Sequence, residues 1–479
     1  MVGLVWQWVL LKSYNSKLGI LLESYKKELN STLKLCLPII VAQVGSVLMG
    51  VSNSVMVGKL GSAALAAAGV TNAIYILFVV VGMGTLSTIA PMVATAIGAN
   101  DREKCGILFR TSIEVAFLLT LVLTACLFII AENFEIFGHP EEVTAISKNY
   151  LRILSVSTFP FMIFIAAKQF SDGLSYTKPA VFITIIGVLV NVFLNWLLIY
   201  GHWNCPKLGI MGSGIATMSA RAVMAFLMLG FIISNRDLRK YVPKFSDNIN
   251  TMKYIKRVFK VGIPSGLQLF FEIGAFTAAA IVVGRIGIEE SAAHQIGITL
   301  AAIATMIATG ISVAASIRVG NALGQKDIHK VKLAGNSALI LAVACMIITG
   351  TILIGFTEDL VKLFNNTDTE LIKVAVSVLL IAGFFQLSDG IQVVSLGILR
   401  GVADVNVPTI YTLVAYWGVG LPVGYLLGFY YNMGVVGIWL GLLIGLSSSA
   451  ILLVARFYRI TSEANYKKLF DVVNIEQQG

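Results

Sequence analysis

Charge is what this sequence has least of: 13% of its 479 residues are Asp, Glu, Lys or Arg, against 57% hydrophobic. A water-soluble domain carries about twice that share of charge. With a mean hydropathy of +0.85, the chain reads as an integral membrane protein. Ten-residue segments of alternating polarity, the mark of a transmembrane barrel, are missing, so the membrane is crossed by helices. A Walker sequence is missing too, which argues against ATP-driven pumping. No metal-ligand cluster and no Ser/Lys or Asp/Asp catalytic pairing is visible, which argues against an intramembrane enzyme. Cys36, Cys105, Cys126, Cys205 and Cys345 are scattered and fit neither a disulfide nor a metal spacing. The net charge of +10 does not mark a nucleic-acid partner, because the basic residues gather in loops on one side, as orientation charge does.

What is present is repetition. Leu35-Cys36-Leu37-Pro38 returns as Val261-Gly262-Ile263-Pro264, Val57-Gly58-Lys59-Leu60-Gly61 as Val283-Gly284-Arg285-Ile286-Gly287, and Ala96-Ile97-Gly98 as Ala322-Leu323-Gly324, always 226 positions on. Apolar runs of roughly 20 residues, each long enough to span the hydrocarbon as a helix, predict twelve spans: 35–57, 72–97, 110–131, 147–171, 179–200, 210–233, 259–283, 295–319, 335–356, 371–397, 409–430 and 434–457. Six per copy is an even number, so both copies enter from the same side and the repeat is parallel. Two copies of one unit also imply a cleft where they meet, the usual place of a carrier's substrate. A rigid cleft with single acids does not favour a channel.

Lysines and arginines in the loops after spans 2, 6 and 8 and near both termini face Glu132, Glu135, Glu141, Glu142, Glu358, Asp359 and Asp368 in loops of the opposite side. The positive-inside rule then puts both termini in the cytoplasm. The expected organisation is a cytoplasmic or interfacial segment 1–30, an N-lobe 31–234, a cytoplasmic linker 235–257, a C-lobe 258–460 and a cytoplasmic tail 461–479.

Two carboxylates stand where the bilayer charges about 2.5–3.5 kcal/mol for them. Glu272 lies 12 residues past Lys260, roughly 18 Å into span 7 at the helical rise. Asp389 lies 11 residues before Arg400, roughly 16 Å up span 10. No Lys or Arg of the same half lies at matching depth. Gln386, Asp389 and Gln392 recur every third residue, and Gln268 precedes Glu272 by one turn, which predicts a polar stripe facing one cavity. In the first copy Ser46 stands at the position of Glu272, and Gln43, Ser46, Gly50 and Asn53 give span 1 an uncharged polar face. Asn191 and Asn195 sit one turn apart on span 5; they serve either helix–helix hydrogen bonding or a cavity wall. Lys168 and Asp172 are expected to pair. Arg221 in span 6 suits a gate, a partner for an unseen acid or a snorkelling residue. His294 reads as a packed residue rather than a proton relay, and Asn365-Asn366-Thr367 as a chance glycosylation triplet.

Several segments resemble the multidrug and toxic-compound extrusion (MATE) family in its bacterial NorM branch: Met49-Gly50-Val51-Ser52-Asn53-Ser54-Val55-Met56-Val57-Gly58, Phe270-Phe271-Glu272, Gln386-Leu387-Ser388-Asp389-Gly390 and Leu399-Arg400-Gly401. Ser171-Asp172-Gly173, Leu194-Asn195-Trp196 and Ser316-Ile317-Arg318-Val319-Gly320 are similar as well, so the likeness runs from about residue 30 to 460. The resemblance implies an all-α membrane protein whose twelve helices form two six-helix lobes around a V-shaped central cavity. It implies export of cationic and amphipathic drugs against Na⁺ or H⁺ by alternating access, by a monomer with no cofactor beyond the transported ion. On matching positions, Glu272 and Asp389 become the carboxylates for coupling cation and substrate, with Na⁺ bound there if sodium is the coupling ion. Asn191 and Asn195 join the first-lobe cavity wall, and Phe276 and Phe385 give the cavity aromatic faces. Asn53 departs from the family's usual aspartate, so the second lobe is expected to carry the coupling. The alternative, a flippase for lipid-linked precursors in the same superfamily, would need a basic cavity for pyrophosphate.

Overall fold

The computed structural model describes residues 2–242, 251–364, 367–467 and 469–470. Part of the expected linker, the Asn365-Asn366 pair and the end of the tail lie outside these residues. Twelve helices among the described residues are long and apolar enough to cross a membrane. In the N-lobe they are α1 (Leu22–Gly58), α2 (Ser62–Gly98), α3 (Arg102–Glu132), α4 (Glu141–Gly173), α5 (Lys178–Tyr200) and α6 (Ile210–Ser234). In the C-lobe they are α7 (Met252–Val283), α8 (Ile288–Gly324), α9 (Ile328–Gly355), α10 (Thr369–Gly401), α11 (Asn406–Tyr430) and α12 (Gly434–Ile460). Eleven of the predicted spans fall inside one of them, and the ninth, 335–356, overruns α9 by one residue, Phe356, which caps that helix. Most helices run a turn or two past the apolar stretch, because a helix keeps satisfying its own backbone beyond the hydrocarbon. α11 is loosened by two wider turns, Val414–Gly420 and Leu426–Tyr430.

Segment 1–30, expected as a cytoplasmic or interfacial stretch, is helical from Val2 onward and continuous with the first span. The first helix runs unbroken from Val2 to Gly58. Its polar stretch is held against the other lobe: Arg318 on α8 donates to Glu28 through Nε at 2.7 Å, and Tyr25 lies 3.5 Å from the Asn336 amide on α9. A two-pronged guanidinium–carboxylate pair of this kind is worth more than a loose surface ion pair.

The 226-residue repeat reappears as a pseudo-twofold axis. A side chain added at Gly98 would meet the backbone of Asn321, and one added at Gly324 would meet Thr95. Thr95 and Asn321 are themselves 226 apart, so the two contacts are copies of each other. Gly84 against Gly266 and Gly310 against Ile40 form a second such pair. The helix-ending turns repeat as well. Asn100 and Lys326 both take φ 57°, and Asp101 and Asp327 both cap the next helix through backbone N–H groups, as short acidic side chains do at helix starts.

These close approaches share one end of the bundle, where α1 and α7 begin and α2 and α8 finish. In the opposite halves Gly50 and Gly69 meet nothing within 4 Å, and Gly274 meets only Trp417 of its own lobe. The lobes are therefore locked backbone to backbone at one end and part toward the other. The Gly98→Val variant should lose about 1–3 kcal/mol through overpacking and show a lowered Tm, whereas Gly50→Val should leave the Tm unchanged.

Candidate functional site

α7, α8, α10 and α12 enclose a cavity of about 410 Å³ within the C-lobe. Its wall is apolar, built from residues such as Ile273, Phe276, Ala301, Met306, Phe385 and Trp439. Two charged side chains interrupt it, Glu272 from α7 and Asp389 from α10. The two acids predicted 117 positions apart in sequence thus share one space. Asp389 is buried and accepts a hydrogen bond from Thr305 Oγ1 on α8 at 2.7 Å. Glu272 is half-buried, its exposed part turned to the cavity. Neither acid forms an ion pair among the described residues, although their lobe holds such pairs elsewhere, as between Arg456 and Asp404 at 2.8 Å.

The aromatic wall is interlocked. Phe276 meets Phe385 edge-on at 6.0 Å between centroids and Tyr416 at 5.9 Å, and Phe385 meets Trp439 at 5.7 Å. Trp439 is fixed in turn by its indole N–H, which donates to His294 Nδ1 at 3.1 Å. His294 is thus a buried packing residue behind the wall, as its sequence context implied. Edge-to-face rings present electron-rich faces, which attract a cation through the ring quadrupole.

Several expected wall residues lie elsewhere. Gln386 and Gln392 are fully buried and off the cavity. A three-residue step turns a helix only about 300°, so a stripe at that spacing drifts around α10. Phe385 and Asp389, four apart, keep the same face instead. Gln392 hydrogen-bonds with Tyr416 Oη at 3.0 Å. Gln268 is buried too, its amide 3.5 Å from the Val405 carbonyl.

In the N-lobe the amides hold helices together. Asn195 donates to Asn53 at 2.6 Å and to Asn191 at 3.2 Å. Asn53 and Asn191 both donate to Thr217 Oγ1, at 3.1 and 3.3 Å. Asn191 and Asn195 are completely buried, so they are interior hydrogen-bonding residues and not a cavity wall. Gln43 and Ser46 lie on α1, away from the acidic cavity, and the Ser46 hydroxyl bonds back to Ala42 at 3.1 Å. Lys168 and Asp172 pair at 3.1 Å as expected. Thr305 and Trp439 escaped the sequence reading, since a lone threonine or tryptophan in an apolar span carries no signal of its own.

Two six-helix lobes, one parallel repeat, a single locked end and a cavity with paired acids define a membrane carrier built for alternating access. The comparisons place it further. The MatE family matches residues 38–197 and 264–426, the two repeat halves. The chain is 32% identical over 448 residues to the multidrug resistance protein NorM of Vibrio cholerae, covering 92% of this chain and 97% of that one. It is 34% identical over 436 residues to NorM of Aliivibrio fischeri, covering 90% and 95%. The crystal structure of a eukaryotic MATE transporter superposes with a TM-score of 0.84 at 21% identity, over 94% of this chain and 98% of that one. The chain belongs to the MATE family.

The Thr305 hydroxyl holds the Asp389 carboxylate in place, and a hydrogen bond to a charged group is worth about 1.5–3 kcal/mol. Thr305→Val should therefore weaken tetraphenylphosphonium binding at constant pH by about tenfold or more, read by isothermal titration of the purified protein.

Proposed function

We propose that this protein is a secondary active multidrug exporter that antiports cationic, amphipathic compounds against Na⁺ or H⁺. The observation that carries the reading is the apolar cavity whose charged lining residues are two carboxylates that form no ion pair among the described residues. Such a site favours a mobile cation and is indifferent to the shape of an apolar body, since few polar anchors fix its orientation. The relatives' names, multidrug resistance proteins, support the same substrate class. A lipid-precursor flippase would need a basic cavity, and this one is acidic.

The mechanism is competition. From the outer side Glu272 and Asp389 take up Na⁺ or protons, their charge is neutralised, and the bound drug leaves. The carrier then turns inward, gives up its ion and takes a new drug. One inward positive charge gains about 2.3 kcal/mol per 100 mV of membrane potential, and one pH unit adds about 1.4 kcal/mol. For one-to-one exchange with a neutral drug these terms sustain a several-hundred-fold gradient. A monovalent cationic drug cancels the voltage part, so it needs a second ion.

By the loop charges the protein sits in the cell membrane with both termini in the cytoplasm, and it works as a monomer. The locked end then faces the cytoplasm, and the structure is the outward-open form. Glu272→Gln and Asp389→Asn should each abolish ethidium resistance in cells at equal expression. In proteoliposomes, ethidium efflux should follow an imposed Na⁺ gradient or an imposed pH gradient when the two are varied separately. Unimpaired resistance in both variants, or efflux indifferent to both gradients, would rule the exchange out.

A further inference from the structure

The N-lobe holds a fixed cation that the exchange mechanism does not use. Arg221 stands near the middle of α6 and is half-buried. Its Nη1 donates to Tyr75 Oη at 2.5 Å and to Ser157 Oγ at 2.7 Å. The guanidinium carbon lies 4.5 Å from the Phe161 ring centroid and 5.1 Å from that of Tyr75. The N-lobe has a buried ion pair, Lys168 with Asp172, but none of the ion pairs among the described residues includes Arg221.

The pseudo-twofold axis gives this position its meaning. Tyr75 is the repeat mate of Ala301, 226 positions on. For α4 and α10 the offset is 228, fixed by two pairs: Gly173 packs on Ala90 as Gly401 packs on Ser316, and Ser175 and Ala403 share a left-handed turn. At that offset Ser157 corresponds to Phe385 and Phe161 to Asp389. Ala301, Phe385 and Asp389 all line the acidic cavity. Arg221 therefore occupies the N-lobe equivalent of the place where the C-lobe keeps its carboxylate, with the sign of charge reversed.

The local chemistry suits an anion. Arg221 directs one nitrogen at two neutral oxygens, and the remaining donors of the fork match a carboxylate. The flanking rings hold the guanidinium plane without cancelling its charge. Intramembrane arginines are kept for function as a rule. Arg221 is itself partly exposed, as is Asn53, and Asn72, one turn before Tyr75 on α2, is exposed.

The geometry points to Arg221, framed by Tyr75 and Ser157, as a subsite for the carboxylate of an amphipathic substrate that also carries a cationic group. This rests on the efflux reading and adds the substrate's second charge: the C-lobe takes the cation and the N-lobe the anion of a zwitterion. The matched probes are rhodamine 110, a zwitterion with a free carboxylate, and rhodamine 123, its cationic methyl ester. Their binding to the purified protein is read by fluorescence anisotropy.

Arg221→Gln should raise the Kd of rhodamine 110 about tenfold and leave that of rhodamine 123 within twofold. Arg221→Lys keeps the charge and loses the fork. It should weaken rhodamine 110 alone, by about threefold, and it carries the test if the glutamine variant does not fold. Equal weakening of both dyes, unchanged rhodamine 110 binding in the variants, or no binding of rhodamine 110 by the unaltered protein overturns the subsite. A protein that shows the dye difference yet drives no antiport in liposomes would contradict the efflux reading alone.

Discussion

Two carboxylates in an apolar hollow, one of them bonded to a threonine hydroxyl and neither in an ion pair among the described residues, are the constraint on which this molecule turns. Desolvating an unpaired charge costs several kcal/mol after relaxation, so the empty site is the least favourable state of the cavity. Any small cation relieves it, and so does a proton. A packing role for Glu272 and Asp389 would leave them joined to a cation of the fold itself, as Asp172 is joined to Lys168. Their cavity instead offers rings and methyl groups on every side. Such a wall supplies affinity for an apolar body and leaves the charge balance to whatever enters.

Much of this was legible in the sequence because the repeat is punctuated by residues that resist substitution. Gly98 and Gly324 stay in register since they sit where the two lobes touch backbone to backbone. The acids were visible because charge in a twenty-residue apolar run has no bland explanation. The amides were not resolved in the same way. Asn191 and Asn195 can face water or bond across helices equally well, and only the partners, Asn53 and Thr217, decide. The spacing of Gln386, Asp389 and Gln392 promised one stripe, yet each three-residue step falls about 60° short of a full turn and so does not hold a face. Thr305 acquires its role only from the fold, which sets it against Asp389.

The pseudo-symmetry is kept in the backbone and broken in the side chains. Close approach across the locked end requires small residues at matched positions in both copies, because each glycine packs against the mate of its partner's neighbour. Cation exchange asks for no such match. One lobe can carry the acids while the other carries a hydrogen-bonded amide network, in which Asn53 cannot change its charge at neutral pH.

The same helices make this asymmetry mechanical. α7 bears Glu272 and, six residues nearer the locked end, Gly266, which lies against Val81 and Gly84 of the other lobe. α8 bears Thr305 at the cavity and Gly310 at the interface with Ile40. At the helical rise these separations are roughly 9 Å and 8 Å, within stretches that the structure shows as unbroken helix. A helix of that length moves as a rod, so a shift of α7 or α8 that closes carboxylate oxygens around an ion also moves glycines packed without slack against the opposite lobe. Close-packed interfaces respond to such displacements by switching between arrangements and not by yielding gradually. Occupancy of the acids and closure of the far end are in this way two readings of the position of the same two rods.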